Sequence, residues 1–194
     1  TGNATCAPSR AAIMTGRYPT RFGFEFTPAP KAFMRLIARW GHDDARPPVY
    51  FADREKDVPE LDLEGLPASE ITIADVMKQK GYRTLGIGKW HLGEAPAMKP
   101  TARGFDEYLG FLAGAAMYLP VGHPDSVESR QPFDPIDAFL WPNLDYAVTK
   151  DGGQRFAPTG YLTDYLSEQA VRAIEANRNR PFCLYLAYNA PHTP

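Results

Sequence analysis

Residues 72–93 read TIADVMKQKGYRTLGIGKWHLG, and this stretch decides the fold class. Ile73, Val76 and Met77 fall at the i, i+3, i+4 spacing of an amphipathic helix running from Thr72 to Lys80. Thr72 with Asp75 three residues on has the form of a capping box, although Glu or Gln is the commoner partner there. Gly81 supplies the left-handed residue that stops a helix. Arg83 to Gly88 then reads as a short strand. A second unit of the same kind lies near the end of the chain. Leu162, Leu166, Ala170 and Ile174 repeat every fourth residue along a helix from Leu162 to Asn177, with Asp164, Glu168, Arg172 and Glu175 towards water. Arg178 to Arg180 makes the turn, and Phe182 to Tyr188 is a nearly continuous apolar run. Such a run suits a strand covered on both faces, and helix–strand repetition predicts an α/β sheet with parallel strands.

Two long irregular stretches separate or precede these units. Thr27 to Ser69 carries Pro28, Pro30, Pro47, Pro48, Pro59 and Pro67 with a mixed-charge block from Asp43 to Asp57, and Lys31 to Trp40 within it has the makings of one short helix. Met117 to Thr159 is similarly rich in proline and aromatic residues. Loops of this length inside a domain are functional or hold minor structure of their own. The reading is therefore one partial domain over 1–194, with 27–69 and 117–159 as loop insertions. Trp40, Tyr50, Tyr118, Phe139 and Trp141 are candidate pocket walls.

With 194 residues the chain fits one domain or a large part of one, and its formal net charge of −2 gives no bulk attraction to nucleic acid or an acidic membrane. No transmembrane run is present, and no signal peptide is visible. The chain starts at Thr1 and stops at Pro194 straight after a loop motif, so both ends read as cuts through a larger protein. Two cysteines make no disulfide framework, and Cys183, inside the run Phe182-Cys183-Leu184, reads as a buried core thiol.

Three short words carry chemistry. Cys6-Ala7-Pro8-Ser9-Arg10, followed by Thr15-Gly16-Arg17, opens a helix, with Pro8 in the first turn where its missing N–H costs nothing. A nucleophile there faces outward-pointing backbone N–H groups that attract anions. Gly81-Tyr82-Arg83-Thr84 leads into Gly88-Lys89-Trp90-His91-Leu92-Gly93. If strand direction continues past Gly88, Lys89 and His91 share one side and Trp90 takes the other. That end of a parallel strand is where α/β sheets bind ligands. Tyr188-Asn189-Ala190-Pro191-His192-Thr193-Pro194 puts a histidine on a proline-stiffened loop directly after the last strand.

Together and in this order, the three words resemble the signatures of the formylglycine-dependent sulfatases of the alkaline phosphatase superfamily. The resemblance runs from Cys6 to His192. It implies a mixed, largely parallel sheet flanked by helices, here an incomplete catalytic domain. It implies that Cys6 is converted after translation by a maturation enzyme to formylglycine, whose hydrate attacks the sulfur of an organic sulfate ester. Arg10 then fixes and neutralises the hydrate, Lys89 binds sulfate oxygens, and His91 assists deprotonation. His192 contacts the sulfate or the leaving oxygen as general acid. A divalent cation, calcium with magnesium as the alternative, completes such sites as a Lewis acid bound to oxygen ligands and to formylglycine itself.

The pattern breaks at the metal. The family's aspartate pair precedes the cysteine and its Asp-Asn pair follows the histidine loop, while Asp43-Asp44 sits in the charged loop and reads as solvated. Residues 1–194 alone are thus expected to hold calcium weakly and to turn over little. The rival readings are a phosphonate monoester or phosphodiester hydrolase of the same superfamily, a non-catalytic sulfated-glycan binder, and a thiol enzyme using Cys6 directly. Expected partners are a sulfate ester, sulfated carbohydrates among the candidates, and the maturation enzyme, with no nucleic acid and no membrane segment. A periplasmic, secreted or lysosomal location goes with the family.

Overall fold

A computed structural model describes residues 3–39, 49–127 and 133–193. Helix α1 (Cys6–Thr15) begins after Thr5 and stops at Gly16, whose φ of 65° is the left-handed region open to glycine. Ala7, Ala11 and Met14 form its buried stripe at i, i+4 and i+7. The two alanines let the helix backbone come close to the sheet, and this sets Cys6 and Arg10 beside it. Helices α2 (Lys31–Arg39) and α4 (Pro135–Asn143) lie in the two proline-rich stretches and meet through Phe33 and Phe139, with ring centroids 5.0 Å apart. Trp40 and Asp43-Asp44 lie outside the described residues.

Among the described residues, five strands, numbered in chain order, form one mixed sheet in the order β4-β3-β2-β1-β5. β1 (Arg83–Lys89) runs parallel to both β2 (Glu107–Phe111) and β5 (Phe182–Ala187), while β3 (Val148–Lys150) and β4 (Arg155–Phe156) add an antiparallel edge. One face is covered by α1 and α3 (Ile73–Gln79) through Ala7, Ala11, Met14, Ala74, Trp90, Leu92, Phe105 and Tyr108. The other is covered by α5 (Leu162–Asn177), where Leu162, Leu166 and Ala170 pack on Ile87, Phe111 and Val148. The expected fold class is therefore present. Among the described residues no helix is long and apolar enough to cross a membrane.

Several local expectations need correction. The capping box of α3 forms, with Thr72 and Asp75 each accepting from the other's backbone N–H, and Gly81 takes a φ of 82°. Ile73 and Val76, however, are 48% and 44% exposed, and the helix rests on Ala74 instead. A Cβ on Gly104 would lie 2.3 Å from the Asp75 nitrogen, so close backbone approach fixes which side of α3 faces inward. In α5 the four-residue repeat overruns the helical period by about 40° per step. Ile174 accordingly rotates out to 44% exposure, and Asn177 is buried in its place. β5 ends at Ala187 and borders the described sheet, so Phe182 to Tyr185 are half-buried and Leu186 is 37% exposed. Cys183 is likewise half-buried, free of any disulfide, with its thiol pushed up by burial. The 117–159 stretch, expected to be functional or to hold minor structure of its own, contains α4, β3 and β4.

Glycines decide how tightly the central strands meet. A Cβ on Gly110 would stand 1.9 Å from the Gly88 carbonyl oxygen across the β1–β2 register. In the intact protein, Gly110→Ala should cost about 3 kcal/mol or more by overpacking. Gly16→Ala, with open space around it, should cost only the left-handed backbone penalty of about 1–2 kcal/mol. Urea melts of both variants check this; equal midpoint shifts would contradict it.

Candidate active site

The carboxyl ends of β1 and β5 and the N-terminus of α1 come together at one place. Cys6 is the first residue of α1, with its sulfur 3.9 Å from the Thr27 hydroxyl. One turn on, Arg10 reaches across to both strands: its Nη1 donates to the Lys89 carbonyl at 2.8 Å and to the Tyr185 hydroxyl at 2.9 Å. β1 does not continue as a regular strand. Gly88 has φ 103° and His91 φ 57°, yet Trp90 N–H still donates to Phe111 O and His91 N–H to Leu112 O, each at 3.0 Å. Trp90 turns fully into the core against Phe105, and Lys89 and His91 both face the Cys6 side. The Tyr108 hydroxyl, buried beneath this turn, reaches the carbonyls of Gly88 at 2.6 Å and Phe111 at 2.9 Å.

Burial and mutual repulsion set the charge states. Lys89 is 3% exposed, and desolvation pushes its ammonium down to about 8, with Cys6 pulling it up and Arg10 pressing it further down. His91 is held down at about 3 by burial, then by Lys89, Arg10 and His192, with the Pro28 carbonyl acting in the opposite sense. Its Nδ1 is buried without a hydrogen-bond partner among the described residues. An anion bound among these groups reverses the repulsion and raises their proton affinity.

His192 follows the cis Ala190–Pro191 peptide. Its backbone N–H donates to Asn189 O at 3.0 Å, and its carbonyl accepts from the Tyr118 hydroxyl at 2.9 Å. Asn189 Nδ2 in turn donates to Ala116 O at 2.7 Å. The ring Nδ1 lies 2.5 Å from Thr193 O, which favours a proton on Nδ1 and leaves Nε2 for a ligand. Burial lowers the pKa of this ring too.

Cys6, His91 and His192 line one cavity of about 310 Å³, with Thr27, Glu64, Glu94 and the apolar side chains of Phe33 and Phe139. All five residues singled out from sequence (Cys6, Arg10, Lys89, His91 and His192) therefore belong to one neighbourhood. Of the candidate walls among the described residues, Phe139 lines the cavity. Tyr118 supports His192 and stacks on Tyr161, Tyr50 bonds Glu55, and Trp141 is buried. Arg17, the end of the first word, points elsewhere, and its Nη1 pairs with Glu70 at 2.5 Å, beside Arg103.

Sequence reasoning missed Tyr185, which lies in a strand run that reads as core, and Gly114. A Cβ on Gly114 would meet His91 Cε1 at 2.8 Å and Nε2 at 2.9 Å, so only glycine leaves room for the ring. Among the described residues no group of three or more His, Cys, Asp or Glu side chains converges to hold a metal ion. Glu64 and Glu94 are the cavity's carboxylates. The described residues thus do not make the oxygen-rich ligand set of a divalent cation.

Two substitutions test this geometry by binding of inorganic sulfate, followed calorimetrically in the intact protein. Tyr185→Phe removes one of the two acceptors that hold Arg10, and sulfate affinity should fall about fivefold, equivalent to about 1 kcal/mol. Gly114→Ala should displace the His91 ring and weaken binding by a similar or larger factor at unchanged melting temperature. Wild-type affinity in both would refute the arrangement.

Known proteins are similar to this chain along nearly its whole length. N-acetylgalactosamine-6-sulfatase of Homo sapiens is 31% identical over 202 residues, covering 99% of this chain and 31% of the relative. Arylsulfatase of Hemicentrotus pulcherrimus is 32% identical over 200 residues, covering 99% and 29%. The crystal structure of Ps i-CgsB superposes with a TM-score of 0.68 at 32% identity, covering all of this chain and 36% of that one. A second structure of that protein, in complex with k-i-k-neocarrahexaose, gives 0.66 at 31%, with the same coverage. The chain spans about a third of the length of these relatives. A sequence model of the sulfatase family matches residues 1–194 throughout, and the chain belongs to the sulfatase family.

Proposed function

We propose that the protein containing this chain hydrolyses an organic sulfate ester to an alcohol and inorganic sulfate, with Cys6 matured to formylglycine. The observation that carries the reading is a convergence: Cys6, His91 and His192 line one cavity, and Lys89 and Arg10 lie near enough to act on these groups electrostatically, with Arg10 bonded to the Lys89 carbonyl. The hydrate of formylglycine supplies one hydroxyl for attack on sulfur and a second whose deprotonation expels sulfate. The remaining roles belong to this chain's side chains. Lys89 holds the sulfuryl oxygens, and Arg10 neutralises the charge that builds at the helix start. His91, through its unpartnered Nδ1, takes the proton from the modified residue. With an anion bound nearby raising its proton affinity, His192 takes up a second proton at Nε2 and gives it to the leaving oxygen.

In this reading the chain is part of a catalytic domain whose remainder brings the ligands of a calcium or magnesium ion. The partners are a maturation enzyme and a sulfate ester, sulfated carbohydrates among the candidates; k-i-k-neocarrahexaose bound to Ps i-CgsB supports that class. A periplasmic, secreted or lysosomal compartment goes with it.

The test is sulfate release by the intact protein co-expressed with a maturation system. An aryl sulfate should be cleaved faster than phenyl phosphonate monoester, and Lys89→Ala should lower kcat/KM by about 100-fold or more. Faster cleavage of the phosphonate would transfer the site to the phosphonate hydrolases of the same superfamily. Binding without turnover of either would make it a sulfated-glycan binder.

A further inference from the structure

The cavity that ends at Cys6 contains a carboxylate the proposed chemistry does not use. Glu64 is 9% exposed, lines the cavity, and has no side-chain hydrogen bond among the described residues. Burial raises its pKa, and the cation acting on it is Lys31, a residue outside the Arg10–Lys89–His91 cluster. Its backbone is held firmly. Leu66 N–H donates to Leu92 O at 2.9 Å, and a Cβ on Gly65 would lie 2.6 Å from that same oxygen and 2.7 Å from Gly93 Cα. The segment bearing Glu64 is thus clamped to the turn bearing His91. With no protein donor among the described residues, its carboxylate oxygens are left to accept from whatever enters the cavity.

The rest of the lining says what kind of donor. Phe33 and Phe139 form a tilted aromatic pair, and Pro30 and Leu140 extend that apolar wall. An aromatic wall suits the C–H face of a ring, while a carboxylate accepts from hydroxyls and repels a second anion. Resting on the sulfatase reading above, we infer that Glu64 is a specificity-determining residue. It accepts a hydrogen bond from a hydroxyl of the alcohol moiety, so the site takes a monosulfated sugar residue with a free hydroxyl beside the ester. Sites built to bond a hydroxyl strongly reject the analogue that lacks it.

The experiment uses the intact, formylglycine-bearing protein with methyl galactoside and methyl glucoside monosulfates. Each is compared with its single-deoxy analogues and with the analogue carrying a second sulfate. Wild type should prefer one hydroxylated substrate over its deoxy analogue by tenfold or more in kcat/KM, and should reject the disulfated form. In Glu64→Gln and Glu64→Ala the hydroxyl-to-deoxy ratio should fall to within about threefold of unity, and Glu64→Gln should accept the disulfated form relatively better. A wild-type ratio near one at every position, or no turnover of any sugar sulfate, overturns the inference without needing a folded variant. So does an unchanged ratio in both variants. 4-Nitrophenyl sulfate separates the two levels: cleavage of it with no hydroxyl discrimination sinks the Glu64 role alone, and no cleavage of any sulfate ester sinks the sulfatase reading as well.

Discussion

One guanidinium joins the elements that the site is built from. Arg10 leaves α1 one turn after Cys6 and bonds the last carbonyl of β1 and a hydroxyl on β5. These contacts cross three segments far apart in sequence, and each segment carries or directly precedes one of the site's side chains. Without that tie the helix start would be placed only by the packing of Ala7, Ala11 and Met14, which fixes a face more firmly than an atom. Tyr108 does the complementary work below, gathering the Gly88 and Phe111 carbonyls so that the chain can leave the sheet and still present Lys89 and His91 together.

The same closeness creates an electrostatic deficit. Burial first, and then repulsion from neighbouring cationic groups, drives Lys89 and His91 towards their neutral forms. A bound oxyanion relieves the repulsion, so anion affinity is stored in the folded site itself. The chain as a whole carries −2, so it offers no bulk attraction for an anion. Elsewhere in the cavity the lining changes character, with the aromatic side chains of Phe33 and Phe139 and the Glu64 carboxylate.

What could be read from the sequence was local. The capping box at Thr72, the stop at Gly81 and the opening of α1 depend on residues a few positions apart, and all three appear as expected. The five candidate site residues each sit in a word with a recognisable order, which is why the sequence could single them out. Features that depend on distant partners were not. Ile73 and Val76 mark an apolar stripe that Gly104 turns outward. β3 and β4 are too short to show any alternation, and they exist because β2 offers them an edge. Tyr185 and Gly114 look like ordinary core and loop residues until Arg10 and His91 are seen against them. Glu64 gives no sequence signal, since only burial distinguishes it from the other acids near it.

Sulfatase chemistry at this site stands or falls on the chemical state of Cys6. Peptide mass spectrometry of the intact protein, purified after co-expression with a competent maturation system, measures it directly. The expected result is that the peptide containing Cys6 carries an aldehyde or its hydrate in place of the thiol, in proportion to the rate of sulfate release. Full sulfate-releasing activity with Cys6 wholly unmodified would contradict it.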